Sequence, residues 1–516
     1  MPHALSRRVL PVAFVLLACL CALPAFAQIS PEQLEKSVAI GKKIDEARKL
    51  ANTKKLEEAT AAMLEAEQAL AVLAGEKGTE ALARRIAQNH NSLEGLRTLL
   101  TRQGAKLPIR TIGLAAPGSA VKEGVSEWTR FRGPNGTGVS NAKGIPANWT
   151  ADDYNWKVEV PGDGHSQPVL WGDKIFLTTA VGEQRTVLCL SAADGKTLWN
   201  KPFNSKNHTK HKFNSFASAT PCCDEKHVYV VFSTPEAYTV TALDHSGSEK
   251  WSMDLGPFES QHSCGASPIV YEDMVIVPNE QDGPSSIAAL DRETGKLRWK
   301  TDRKQVTQGT AYSTPMVYQP DRGAPQLIVN SRAHGVSGVD PKTGKTLWDS
   351  SQLLTMRSCS SPVLAGGLLT ASCGSGGGGN YLVAVKPGTT GDVSATNLSY
   401  KLEGSATMPY VPTPIALGDL LFLISDKGTA SCYNAKTGEK VWQQRLGGNF
   451  FGSPVIVQDR IYVMSCEGDC WVLSATKDFK EIAKVDLGEG SHSTPAVADG
   501  KLYLRTFHHL ISLGGK

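Results

Sequence analysis

Three histidines stand a few residues ahead of a recurring proline: His165, His262 and His492. Imidazole exchanges protons near neutral pH and is also a common metal ligand. Around the same recurring step lie Ser166, Gln261, Cys264, Arg357, Tyr410 and Phe451. Brought to one place, His165, Gln261, His262, Arg357, Tyr410 and His492 would line a ligand pocket of hydrogen-bonding groups around one guanidinium. Left apart, each histidine would only satisfy a nearby backbone group. His208, His211 and His227 sit in a polar stretch and lack the tight spacing of a metal site.

Nine cysteines follow residue 27, so at least one stays unpaired within a monomer. Cys466-Glu467-Gly468-Asp469-Cys470 reads as a hairpin turn whose two thiols face each other, and a structural disulfide is expected there in an oxidising compartment. Cys222 and Cys223 are adjacent. On a strand, one would point into the sheet packing and the other out. They are either a disulfide pair or two small apolar residues, a role in which free cysteine is common. Cys189 and Cys432 fall at equivalent places in two repeats and read as core fillers. The run Gly374 to Asn380 lacks the Gly-Lys-Ser/Thr ending of a phosphate loop and leads into a strand, so it reads as a hairpin tip.

What must position these residues is a repeat. A small polar residue before proline, then a short apolar run, occurs at Gln167-Pro168, Thr220-Pro221, Ser267-Pro268, Thr314-Pro315, Ser361-Pro362, Thr413-Pro414, Ser453-Pro454 and Thr494-Pro495. The spacings are 53, 47, 47, 47, 52, 40 and 41 residues. Such a period marks a propeller or an open array, and four short strands fit in each unit. Most units end in a turn and an aromatic anchor, as in Asp291-Arg292-Glu293-Thr294-Gly295-Lys296-Leu297-Arg298-Trp299. Asp opens the turn, Gly supplies a positive φ, and Trp wedges neighbouring sheets. The anchors are Trp199, Trp251, Trp299, Trp348 and Trp442, with Tyr400 standing in for the fifth unit. The seventh unit lacks both Gly and Trp.

The last unit has no fourth strand. Asn155 to Val160, carrying Trp156, precedes the first unit and supplies it, so the expected fold is all-β: an eight-bladed β-propeller closed by an N-terminal strand. Closure removes two exposed sheet edges.

Upstream, residues 1–27 read as a signal peptide: Arg7-Arg8, an apolar run, then Ala25-Phe26-Ala27. A lipoprotein reading, with a lipid anchor at Cys19, is the alternative. Residues 28–104 are rich in Ala, Leu, Glu and Lys and read as an α-helical segment opened by Ser30-Pro31. Leu56, Ala59, Met63, Ala66, Leu70 and Leu73 alternate spacings of three and four, as coiled coils do. The helices are a spacer or a self-association element. Residues 105–127 read as a linker and 128–516 as the propeller. The chain carries 54 basic and 50 acidic residues, net +4. Loss of Arg7 and Arg8 with the leader lowers this to +2. No basic tract with interleaved aromatics suggests nucleic acid.

The Asp-x-x-Thr-Gly-x-x-x-Trp ends resemble the tryptophan-docking repeat of eight-bladed quinoprotein-like propellers, over roughly residues 125–516. Trp128-Thr129-Arg130-Phe131-Arg132-Gly133-Pro134 is similar to the lead-in of exported proteins of that kind. The resemblance implies two functional classes. One is the dehydrogenases that use pyrroloquinoline quinone (PQQ) with Ca²⁺, in which a disulfide of adjacent cysteines lies over the cofactor. The other is non-catalytic proteins similar to BamB, of the outer-membrane assembly machinery. No quinone contact, Ca²⁺ ligand or catalytic base can be assigned here residue by residue, and no Cys-x-x-Cys-His is present for a haem. The connections are short. The expectation is therefore an exported scaffold without cofactor, in the periplasm or on the periplasmic face of the outer membrane, binding a protein or peptide. A PQQ- and Ca²⁺-dependent periplasmic dehydrogenase is the alternative.

Overall fold

A computed structural model describes residues 31–74, scattered helical positions between 85 and 105, 128–320 and 323–515. The expected leader, with Cys19, and nearly all of the expected linker lie outside the described residues. The chain divides into two compact units, Met1–Pro108 and Ile109–Lys516.

In the first unit, helix α1 (Pro31–Asn52) and helix α2 (Leu56–Ala74) fold back on each other. The bend comes at Thr53 to Lys55, where Lys54 takes a φ of 61° and Lys55 N–H donates to Leu50 O at 3.0 Å. Ile40, Ile44, Ala47 and Ala51 of α1 pack on Ala59, Met63, Ala66, Leu70 and Leu73 of α2, and Leu93, Leu96 and Leu100 complete that core. The apolar stripe read from the sequence is thus spent within the unit. The sequence pattern suggests a fold-back near Gly75 to Gly78, which lies outside the described residues; the bend at Thr53 to Lys55 is not signalled by it. No described helix is long and apolar enough to cross a membrane.

The second unit is an eight-bladed β-propeller. Blade one is Val169–Trp171, Lys174–Val181, Gln184–Ser191 and Thr197–Asn204, paired in that order. Blade eight is Ala496–Ala498, Lys501–Arg505 and His509–Gly514, completed by Tyr154–Glu159. That closing strand runs antiparallel to the last one, with Trp156 opposite Ser512 and Lys157 opposite Ile511. Arg505 ties the same seam from inside. It is fully buried and donates to Ser166 O (2.9 Å), Ser166 Oγ (2.7 Å) and Thr178 O (2.9 Å) of blade one.

The small polar residue before each proline has a physical reason. Its hydroxyl accepts the backbone N–H of the equivalent residue one blade earlier. Gln167 donates to Thr220 Oγ1, Thr220 to Ser267 Oγ, Thr314 to Ser361 Oγ, Ser361 to Thr413 Oγ1, Thr413 to Ser453 Oγ and Ser453 to Thr494 Oγ1, all at 2.9–3.0 Å. Gln167 Nε2 reaches Pro495 O at 2.5 Å, linking blade eight to blade one. Buried hydrogen bonds thus join seven of the eight neighbouring pairs around the axis, satisfying N–H groups that would be costly to bury unpaired.

At the periphery each anchor docks on the next blade. Trp156, Trp199, Trp251, Trp299 and Trp442 donate their indole N–H to Ala192, His245, Arg292, Pro341 and Thr476 carbonyls at 3.0–3.3 Å. Tyr400 does the same with its hydroxyl, to Ala435 O at 2.9 Å. Trp348 instead bonds Gln326 Oε1 of its own blade at 2.8 Å, while its ring covers Gly388. The turn glycine has a second duty beyond its positive φ. A Cβ on Gly195, Gly247 or Gly295 would sit within 2.6–2.8 Å of the docked indole. Within its own sheet each indole faces a residue that is small or narrow: Cys189 opposite Trp199, Ala242 opposite Trp251, Ala289 opposite Trp299, Gly338 opposite Trp348, Cys432 opposite Trp442. Cys189 and Cys432 are core fillers for this reason. Blade seven places Ala483 at the anchor position, and Trp149 of the lead-in stacks on Tyr462 in the same core.

The lead-in is a strap across the blades. Trp128 O accepts from Leu170 N–H (2.9 Å) and Thr129 O from Cys223 N–H (2.8 Å). Arg130 donates to Pro315 O, and Asn135 pairs with the backbone of Val317 at 2.7 and 2.8 Å. Gly138 O and Ser140 O accept from Ile456 and Gln458 N–H at 2.8 and 2.9 Å.

Candidate functional site

The loop segment leading into each innermost strand carries the residues singled out in the sequence. The structure brings them together, although His492 also meets a backbone carbonyl, that of Phe213. His165 of blade one packs at a tilt on His492 of blade eight, with ring centroids 4.7 Å apart. His492 meets Phe451 of blade seven at 4.8 Å and Phe507 at 5.0 Å. On the far side, Arg357 of blade five reaches His262 Nε2 at 3.4 Å and Gln261 Oε1 at 3.2 Å. Tyr410 of blade six lies near enough to Arg357 for each to influence the other's ionisation. Tyr312 of blade four lies 6.4 Å from His262 and bonds Ser260 Oγ at 3.1 Å.

The two halves meet through residues that the sequence reading left out of the pocket. The connection from blade one to blade two, residues 205–219, folds across this face. Its Phe213 contacts Phe451 at 5.2 Å, and Phe213 O lies 3.2 Å from His492 Nδ1. Its His211 packs at a tilt on His262 at 4.8 Å, and its Asn214 donates to His262 O at 2.5 Å. The signal was present in the spacing. The interval of 53 residues from Gln167 to Thr220 exceeds the usual 47, and the surplus forms this bridge. The 52-residue interval at blade five goes elsewhere: Gly391–Asp392 adds a short parallel strand to the outer edge of blade four. His208 bonds Ser263 Oγ at 3.0 Å, while His227 opens a buried strand beside Tyr229, so the three histidines of that region do not converge.

Burial sets the charge of the mouth. It pushes His165 down to about 3, helped by the charges of His492 and Arg505, and His492 down to about 4. Burial and then Arg357 push His262 down to about 4. These imidazoles are neutral at ordinary pH. Burial raises Tyr312 and Tyr410, which stay protonated donors. Burial also raises Asp426 to about 6, although its oxygens accept the N–H groups of Tyr410 (2.6 Å) and Val411 (3.1 Å). The face therefore offers aromatic surfaces, neutral imidazoles and one guanidinium.

The disulfide expected between Cys466 and Cys470 is not formed, and Cys222 and Cys223 take the second of their two readings, small buried apolar residues. All nine described cysteines are free thiols. Cys470 pairs across its hairpin with Met464 and not with Cys466, because the tight turn Ser465 to Asp469 leaves Cys466 within the loop. Cys222 faces the core shared with blade three and Cys223 the core shared with blade one, so the two side chains diverge. Both are buried, and burial raises both thiols.

A PQQ site with Ca²⁺ calls for several oxygen ligands in one place. The donors at the mouth are imidazoles and phenols, and the carboxylate of Asp426 is spent on backbone amides. Among the described residues no group of three or more His, Cys, Asp or Glu side chains is arranged to hold a metal. These residues do not fit that group.

The family model described as outer membrane protein assembly factor BamB matches residues 147–318, 281–405 and 382–480, well over half of the chain. The chain belongs to this family of PQQ-like propellers. A polyvinylalcohol dehydrogenase from a Pseudomonas species is 22% identical over 259 residues, 41% of this chain and 39% of that protein. The chain thus aligns with well under half the length of that curated relative. Among solved structures, the quinohemoprotein alcohol dehydrogenase of Comamonas testosteroni matches with a TM-score of 0.55 and 12% identity, over 75% of this chain and 80% of its own. BamB of Moraxella catarrhalis matches with a TM-score of 0.48 and 18% identity, over 69% and 95%. At such identities the structural likeness reports the shared fold.

Proposed function

We propose that this BamB-family chain is an exported, non-catalytic scaffold that binds a protein or peptide partner across the mouth of its propeller. The observation that carries this reading is Phe213, 46% exposed although large and apolar, against Phe451 and His492, with His211 linking it to His262 and Arg357. An aromatic patch rimmed by polar groups is the usual form of a recognition surface. The leader in residues 1–27 would deliver the chain to the periplasm or to the periplasmic face of the outer membrane, free or anchored at Cys19.

The fold alone also permits a dehydrogenase, and the polyvinylalcohol dehydrogenase relative favours keeping that reading. The diverging Cys222 and Cys223 and the donor set of the mouth weigh against it. The test has two arms. A photo-crosslinking residue at Phe213 is expected to give one discrete adduct in living cells. The same residue at Leu198, 49% exposed on the outer strand of blade one, is expected to give none. Purified protein supplied with PQQ and Ca²⁺ is expected to show no dye-linked alcohol oxidation. Turnover in that assay, together with no adduct at Phe213, would reverse the assignment.

A further inference from the structure

The connection that bridges the mouth is basic. It reads Ser205-Lys206-Asn207-His208-Thr209-Lys210-His211-Lys212-Phe213, with no acidic residue. Lys210 is held by Asn214 O at 3.1 Å and by the Phe216 ring, and Lys212 lies 4.8 Å over the Phe213 ring. Neither is held by a carboxylate. Arg357, the guanidinium of the same face, contacts a histidine, an amide and a carbonyl, and its buried Nε has no hydrogen-bond partner in the structure.

The carboxylates near the mouth are committed elsewhere. Asp282 accepts the N–H and hydroxyl of Thr310 at 3.0 Å each. Glu467 accepts the backbone and side-chain amides of Asn449 at 2.8–3.1 Å. Asp426 accepts two backbone N–H groups, as described. None of these carboxylates pairs with Lys210, Lys212 or Arg357, although the negative charges of Asp282 and Glu467 act on His262 and His492. Lys212 lies over the exposed Phe213, with Phe451 beside it. The field of the basic groups is felt locally: after burial, Lys212, Arg357 and Lys210 all hold His211 below its ordinary value.

We infer that the partner of this mouth is an acidic peptide segment carrying an aromatic side chain. Its carboxylates would face Lys210, Lys212 and Arg357, and its ring would lie against Phe213 and Phe451. Charge complementarity speeds encounter and fixes register, while the buried aromatic supplies most of the affinity. This inference rests on the docking reading above and adds the chemistry of what docks.

The test uses the purified full chain and three fluorescein-labelled twelve-residue peptides: four repeats of Asp-Asp-Phe, of Lys-Lys-Phe, and of Asp-Asp-Ala. Anisotropy is expected to show the Asp-Asp-Phe peptide binding at least tenfold more tightly than either comparator. Raising salt from about 50 to 200 mM should weaken it several-fold, since exposed charge pairs are screened over about 10 Å. The double variant Lys210→Glu/Lys212→Glu should weaken it tenfold or more, with an unchanged melting temperature because both lysines lie on an exposed connection. Equal or tighter binding of the Lys-Lys-Phe peptide, indifference to the charge reversal, or no binding of any peptide would overturn the inference. The Phe213 adduct separates the two levels. An adduct in cells with failure of the acidic peptide refutes the stated partner chemistry and leaves the docking reading standing. Loss of both refutes both.

Discussion

The outer seams of the propeller and its axial mouth are made by opposite rules. At the seams one arrangement recurs: an indole, a small residue opposite it, a glycine seat and a carbonyl on the next blade. At the mouth the contributing segments carry different side chains: His165, the bridge with His211 and Phe213, His262, Tyr312, Arg357, Tyr410, Phe451 and His492. In a ring of repeats, a feature demanded by the fold recurs in most repeats, as the anchor does in all but blade seven. A feature demanded by a partner need not, because a partner is not eightfold symmetric. The contrast predicts that seam substitutions cost stability and mouth substitutions cost binding.

The largest effect belongs to the seam. Trp299 is 9% exposed, packs on Gly344 and donates to Pro341 O. Trp299→Ala removes an indole from a closed interface and leaves a carbonyl unpaired, so urea unfolding should report a loss of about 3–5 kcal/mol. Trp442 makes the same bond to Thr476 O but is only half-buried, and Trp442→Ala should cost about half as much. Equal losses at the two sites would show that the indole bond, and not its burial, sets the seam.

Next comes the seat. Gly344 has a φ of 72°, and a Cβ there would penetrate the Trp299 ring and crowd Thr301. Gly367 has a φ of 83° with nothing within 4 Å of its missing Cβ. Gly367→Ala should cost about 1 kcal/mol from backbone strain alone. Gly344→Ala adds overpacking and should cost about 2–4 kcal/mol. If the two costs agree, the glycine is a turn residue only.

This pair also shows what was legible in the sequence. The Asp-x-x-Thr-Gly-x-x-x-Trp string announced a turn and an anchor, and the missing fourth strand of the last repeat pointed to Trp156. Repetition did that work, since each copy confirmed the others. The reason for the glycine was only half legible, because its indole comes from the preceding repeat, 45 residues upstream in the case of Gly344. The hydroxyl before each proline was visible as a marker, but its bond to the neighbouring blade was not. At the mouth repetition helped only in part. His165, His262 and His492 were found because they stand before the same proline. Phe213 and His211 were missed because they sit on an insertion, which carries no repeat register. Cys466 and Cys470 misled because a hairpin turn was assumed to place them in register, whereas Met464 holds that position.

The mouth should show itself in acid more than in denaturant. His165 and His492 are held neutral, at about 3 and 4 against an ordinary value near 6.5. As pH falls below 6.5 the unfolded chain takes up protons that the folded chain refuses. Their contribution is complete above pH 6.5 and is lost as pH falls toward 4. Asp426 opposes this: raised to about 6, it favours the folded state as pH falls from 6 to its ordinary value near 3.8. The histidine part is isolated by difference. Between pH 6.5 and 5 the protein should lose about 1–2 kcal/mol more than the His165→Gln/His492→Gln variant. A seam variant such as Trp442→Ala should follow the same pH curve as the parent, displaced by a constant.

The smallest expected change in stability falls at Phe213. Its ring is 46% exposed and it touches Phe451, His211 and His492 at the mouth, outside the blade cores. Phe213→Ala should move the unfolding free energy by no more than about 0.5 kcal/mol, as substitutions away from packed cores do. Trp299→Ala should exceed it several-fold. In binding the order inverts, because an exposed aromatic at the centre of a recognition patch carries energy only when a partner desolvates it. Phe213→Ala should abolish most of the anisotropy signal of the Asp-Asp-Phe peptide, whereas Trp442→Ala, folded at room temperature, should leave it intact. If Phe213→Ala instead destabilises the propeller as much as a seam tryptophan does, the bridge is part of the scaffold, and the division between recurring structure and unrepeated recognition fails at the residue on which it depends most.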